Sequence, residues 1–127
     1  MLIDDYRKGW ALRYLREAVD EVKIAKKDSR AFNLIFDAVR KAQAAIYYSL
    51  GEPVFIDSIV QEALEKSLPA ESPVLRFLVE IEKTIKQLEQ MEGEPQISRL
   101  SDLAIKESAD RIVSIASKIV GLLISED

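Results

Sequence analysis

The stretch Phe32–Gly51, FNLIFDAVRKAQAAIYYSLG, decides the fold class. Within it Phe32, Ile35, Val39, Ala42, Ile46 and Leu50 recur at steps of three and four, with Phe36 beside them. That period stacks side chains on one face of an α-helix, whereas a half-buried strand would alternate every second residue. Gly51 closes the segment, and Pro53 lacks the N–H needed to continue it. Along one edge Ala31, Ala38, Ala42, Ala45 and Ser49 keep the surface low enough for a second helix to approach closely. The helix before it in the chain is the natural neighbour.

That preceding helix is expected from about Asp4 to Lys27. Ala11, Leu15, Ala18, Val22 and Ala25 form its stripe, flanked by Trp10 and Tyr14 on one side and by Leu12 and Val19 on the other. Asp28 or Ser29 supplies a capping side chain for the second helix. Downstream, a shorter helix is expected over Val54–Ser67, with Ile56, Ile59, Val60, Ala63 and Leu64 turned inward. Leu68-Pro-Ala-Glu-Ser-Pro73 then breaks the chain, and Ser72-Pro73 is a start signal: a capping hydroxyl followed by proline at the first helical position. The fourth helix carries Val74, Leu78, Ile81, Ile85 and Leu88 and ends at Gly93 and Pro95. The fifth begins near Ser98 or Ser101 and runs almost to the end, with Ile105, Ala109, Ile112, Ala116, Ile119 and Leu123 as its seam. It is apolar around more of its circumference than one seam needs. Ile112–Ile124 is β-branched enough to pass locally for a strand, but a lone strand has no partner here. Gly121 within it weakens the helix by about 1 kcal/mol.

Charge spacing supports the same reading. Asp4–Lys8, Asp37–Lys41, Glu62–Lys66, Glu82–Lys86, Asp102–Lys106 and Glu107–Arg111 are all acid-then-base pairs four apart. Each contributes only about 0.2–0.5 kcal/mol, but the spacing has meaning on a helix and none in a strand. No Asn-Gly or Asp-Gly hairpin signal occurs. The expected fold is all-α, an up-and-down bundle of four long or medium helices plus one short helix, forming a single domain over 1–127.

Composition narrows the function classes. Of 127 residues, 48% are hydrophobic and 31% charged, which suits one globular domain with a real core. The sequence shows no secretory leader pattern, and Ile112–Ile124 holds Lys118 and falls short of the roughly 20 residues that span a bilayer. A soluble cytoplasmic protein with no membrane association is the expectation. Residues 1–50 carry 10 Lys/Arg against 7 Asp/Glu (+3), and residues 51–127 carry 8 against 15 (−7), which together give the net −4. An acidic C-terminal half argues against broad nucleic-acid binding and leaves a basic face on the N-terminal half.

The strongest chemical fact is an absence: there is no histidine and no cysteine. The usual general base near neutral pH, the usual transition-metal ligands and the thiol nucleophile are therefore missing. No phosphate-cradling glycine loop is present. Glu80, Glu82, Glu89 and Glu92 lie on or near the fourth helix and raise an all-carboxylate Mg²⁺ site, although a solvated helix face is the plainer reading. Tyr6, Trp10 and Tyr14 form a ladder on the first helix, suited to packing at the core edge, to a partner, or to stacked bases. Tyr48 falls opposite the stripe of the second helix and is a candidate interface tyrosine. Arg16, Lys23, Lys27 and Arg30 make a basic face, diluted by Glu17, Asp20 and Glu21.

The run from Trp10-Ala-Leu-Arg-Tyr-Leu-Arg-Glu-Ala-Val-Asp20 and the run from Asp37-Ala-Val-Arg-Lys-Ala-Gln-Ala-Ala-Ile-Tyr-Tyr-Ser-Leu-Gly-Glu-Pro53 together resemble the first helical hairpin of HEPN domains, over about residues 10–60. That family shows a tryptophan-led first helix, an alanine-rich second helix and a leucine-x-glycine-like ending. The resemblance implies a four- or five-helix bundle, often dimeric, whose members act as RNases or as partners of minimal nucleotidyltransferases. Catalytic members carry an arginine followed by a histidine. Arg40 and Tyr47 echo only the arginine part, so the resemblance implies a non-nucleolytic relative with no catalytic residue to assign. The expected function is a non-catalytic binding module, self-associating or serving as an accessory subunit to a protein partner, with no cofactor. A nucleotide- or RNA-associated subunit is the first alternative, and a carboxylate-metal hydrolase the second. The candidate binding surface comprises Arg16, Lys23, Lys27, Arg30, Tyr6, Trp10, Tyr14 and Tyr48.

Overall fold

The computed structural model describes residues 5–28, 32–66, 72–91 and 99–125. The Ser29 cap, Arg30, Ala31, Glu92 and the Asp4–Lys8 and Asp102–Lys106 pairs fall outside the described residues or side chains. Five helices follow one another: α1 (Asp5–Lys27), α2 (Phe32–Leu50), α3 (Pro53–Glu65), α4 (Pro73–Met91) and α5 (Arg99–Ser125). The described residues contain no strand. Ile112–Ile124 lies wholly within α5, so its β-branched side chains are accommodated in a helix that several neighbours bury.

The punctuation works as the sequence implies. Pro53 opens α3 at its first turn. The Ser72 hydroxyl accepts the Leu75 N–H at 3.4 Å, and Pro73 opens α4. At Gly51 the N–H still reaches the Tyr47 carbonyl at 3.1 Å. A methyl group there would meet only side-chain atoms at 3.7 Å, so the bend does not require glycine.

α2 is the hub, packing against α1, α3, α4 and α5. Its Ile35, Ala38, Val39, Ala42, Ala45 and Ile46 are wholly buried. α1 lies antiparallel along the small-residue edge, with Trp10 beside Tyr48 and Glu21 beside Lys41. This is the most extensive helix pairing in the molecule. Ala11, Ala18, Val22 and Ala25 complete it from the α1 side. α5 packs on both helices of the hairpin and buries Ala109, Ile112, Val113, Ala116, Val120 and Ile124, a wider band than the single expected seam. α4 turns Phe77, Leu78, Ile81, Ile85 and Leu88 inward. α3 spans α2 and α4, and Ile56 and Val60 face Val74 and Leu78 while Leu64 lies near Lys86.

Two expectations are corrected. Ile59, expected inward, is 52% exposed, because Val60 and Ala63 take the buried positions and, among the described residues, α3 packs mainly on α2 and α4. Arg111, expected to pair with Glu107, reaches instead across to Glu80 of α4.

Candidate functional site

The aromatic candidates converge. Tyr6, Trp10 and Tyr14 stand one turn apart on α1, and Tyr48 enters from α2, so four rings meet on one flank of the hairpin. Trp10 lies 5.5 Å from Tyr14 and 6.3 Å from Tyr48, and Tyr14 lies 5.9 Å from Tyr48, all at shallow angles of 22–30°. Tyr6 meets Trp10 edge-on at 6.4 Å and 67°. The Arg13 guanidinium sits 5.2 Å from the Trp10 ring centre. Each such ring pair adds about 0.5–1.5 kcal/mol beyond area burial, so the slab clamps α1 to α2. Tyr48, expected to face away from the packed surface, is thereby drawn into it, because α1 sits on that side of α2. Burial, and then the neighbouring Tyr14, Tyr6 and Glu52, push its hydroxyl above the ordinary tyrosine range. Only Tyr6, 70% exposed, leaves most of its ring to solvent.

One turn further along the same flank the aromatic slab gives way to ions. Arg13 pairs with Glu17 at 3.6 Å, and Lys41 of α2 draws in Glu17 at 3.7 Å, Asp37 at 3.7 Å and Glu21 at closest range. Glu21 is buried, not part of a solvated face as its spacing suggested, and its second carboxylate oxygen has no partner. Burial raises its pKa above the usual carboxylate value; the Lys41 ammonium opposes that shift and the Asp37 carboxylate adds to it. The same contact raises Lys41. The asymmetry is physical: the Lys41 ammonium keeps part of its surface exposed, while Glu21 carries a buried oxygen with no protein partner among the described residues.

The basic candidates part company with the aromatic ones. Arg16, Lys23 and Lys27 are exposed on the opposite flank of α1. Lys23 there joins Lys26, which pairs with Asp110 of α5 at 3.0 Å. Two of the α4 carboxylates are engaged, while Glu89 is exposed and makes no ion pair or hydrogen bond among the described residues. Glu80 pairs with Arg111, and Glu82 is buried instead of solvated, accepting the Gln43 amide at 2.6 Å with Lys86 at 3.9 Å. Among the described residues no three acidic side chains are placed to hold a metal ion.

A polar network at α2, α3 and α4 escaped the sequence reading. The buried Tyr47 hydroxyl donates to Asp57 at 3.2 Å, and the Gln61 amide reaches the same carboxylate oxygen at 3.4 Å. Burial first, then Asp57 and Glu82, push the Tyr47 hydroxyl far above its ordinary range, so it serves as a fixed donor. The available signal was the pairing of Gln43 with Tyr47 and of Asp57 with Gln61, each four apart on one helix face.

The class these features define is an all-helical protein in which no described helix is long and apolar enough to cross a membrane. No protein-family model, curated protein or solved structure matches the chain.

Proposed function

We propose that this chain is a non-catalytic helical binding module that works by self-association, with service as an accessory subunit of a larger assembly as the related role. The observation that carries the reading is the outer face of α3. Val54, Phe55 and Ile59 are 79%, 70% and 52% exposed. Ile59 also lines an apolar cleft of about 270 Å³ with Leu50, Ile56, Val74 and Leu75. Large apolar side chains gathered on one face mark an interaction surface. The pairing of Glu80 and Glu82 and the absence of histidine and cysteine favour binding over catalysis.

Under this reading α1, α2, α4 and α5 make an up-and-down frame, and α3 is the appended interaction helix. The antiparallel α1–α2 pairing with its small-residue edge also supports a non-nucleolytic HEPN-like relative, which would sit in the cytoplasm beside a nucleotidyltransferase partner. Light scattering on the purified chain tests the main reading. An oligomer that Phe55→Glu converts to monomer is the expected result. A strict monomer from which no partner is recovered on co-purification contradicts it.

A further inference from the structure

The outer stripe of α3 is laid out symmetrically about Ile59. Glu52, Phe55, Ile59, Glu62 and Lys66 recur at steps of three and four, so they share one face of the helix. Ile59 stands at the midpoint, seven residues after Glu52 and seven before Lys66. Glu52 is the N-cap and Lys66 the C-cap. The stripe therefore carries an anion at one end, the exposed Phe55 and Ile59 towards its centre, and a cation at the other end. Glu52 is exposed and makes no ion pair among the described residues. Lys66 holds Glu62 at 2.8 Å and still keeps 60% of its side chain accessible.

Building on the self-association proposed above, we infer that α3 of a second copy covers this face, running antiparallel about a two-fold axis at Ile59. In a two-fold contact the same patch meets itself. Antiparallel pairing sets Ile59 against Ile59 and brings Glu52 of each copy to Lys66 of the other, so the charge match occurs twice. The two helix dipoles then lie head to tail, positive end beside negative end. A parallel pair would instead place Glu52 against Glu52 and Lys66 against Lys66. An unrelated apolar partner needs no such mirrored ends, so the charge pattern decides for a second copy. The 13 residues of α3 span about 20 Å. That is too short a contact to bury the roughly 800 Å² per partner of a standard interface, so the pair is weak and reversible.

The test is sedimentation of the full chain at low salt, with oxidative cross-linking beside it. The unaltered chain should dimerise as its concentration rises. Glu52→Lys should raise the dimer dissociation constant by about fivefold or more, because the lost attraction is felt at both ends of the pair. Lys66→Glu should do the same, and the two exchanges made together should recover most of the loss. The sequence holds no cysteine. Ile59→Cys should therefore cross-link to its own copy on mild oxidation, while Ser58→Cys, exposed one position round the helix, should not. Dimers that Phe55→Glu dissociates, but that ignore Glu52→Lys or fail to cross-link through Ile59→Cys, would overturn the antiparallel pairing and leave self-association standing. A chain that stays monomeric at every concentration would overturn both.

Discussion

The α1–α2 hairpin and the α3 helix are built from similar proportions of apolar residues and end in opposite states. In the hairpin, Trp10, Tyr14 and Tyr48 stack on one another, Lys41 gathers three carboxylates, and the alanine edge of α2 is wholly buried. In α3, Val60 and Ala63 are buried while Val54, Phe55 and Ile59 face outward. The hairpin spends its side chains on itself; α3 holds a surplus. On the proposed reading, binding capacity sits where apolar residues outnumber the neighbours available to cover them, not where the most eye-catching residues occur.

One substitution made in both regions should separate them most. Ile46→Ala removes a wholly buried side chain of the hub and should cost about 2–5 kcal/mol in urea denaturation. Ile59→Ala removes a half-exposed one and should change the monomer's stability by no more than about 0.5 kcal/mol. Similar losses at both sites would show that α3 is buried in the folded chain.

Next in size is the aromatic slab. Trp10→Ala should destabilise the chain by about 2–3 kcal/mol, because a partly buried indole and its stacking partners are lost together. Phe55→Ala, an exposed ring, should leave the unfolding midpoint of the monomer almost unchanged. Equal midpoints for the two variants would remove the slab from its clamping role.

The ionic half gives a prediction with a definite sign. Glu21 has a raised carboxyl in the folded chain, so its favourable contribution is complete below the unfolded value of 4.5 and fades as pH rises through the folded value. At neutral pH the buried charge with its orphan oxygen is therefore a liability. Glu21→Gln should raise the thermal midpoint at pH 7, with the gain shrinking towards pH 4. A lower midpoint at pH 7 would mean that the Lys41 attraction outweighs the burial.

The smallest effect concerns α5. Gly121 is helical, and a methyl group there meets nothing within 4 Å. Gly121→Ala should stabilise the chain by up to about 1 kcal/mol in the same denaturation assay. A loss instead would show that this surface of α5 is covered by something the isolated fold lacks.

The sequence made the helices legible because stripes such as Ile35, Val39, Ala42 and Ile46 carry their period without help from distant residues. Ser72-Pro73 and Pro53 marked two boundaries for the same local reason. Partnerships were harder to see. Nothing near Tyr48 tells that α1 will cover it, and Glu82 and Glu21 look solvated until Gln43 and Lys41 arrive from another helix. Ile59 fits an inward stripe as well as Ile56 does, and only the count of neighbours around α3 turns it out. Of the candidate surface, the four aromatics came together, while Arg16, Lys23 and Lys27 lie on the other flank of α1. Local pattern specifies elements; long-range contact decides which residues remain for a partner.

The most direct measurement is a dilution series on methyl-labelled protein, following Val54 and Ile59 of α3 beside Val39 and Ile46 of the hub. Self-association through α3 predicts that its methyl resonances move with concentration while the hub resonances stay fixed. Stationary α3 signals across the series, or equal movement of all four, would contradict it.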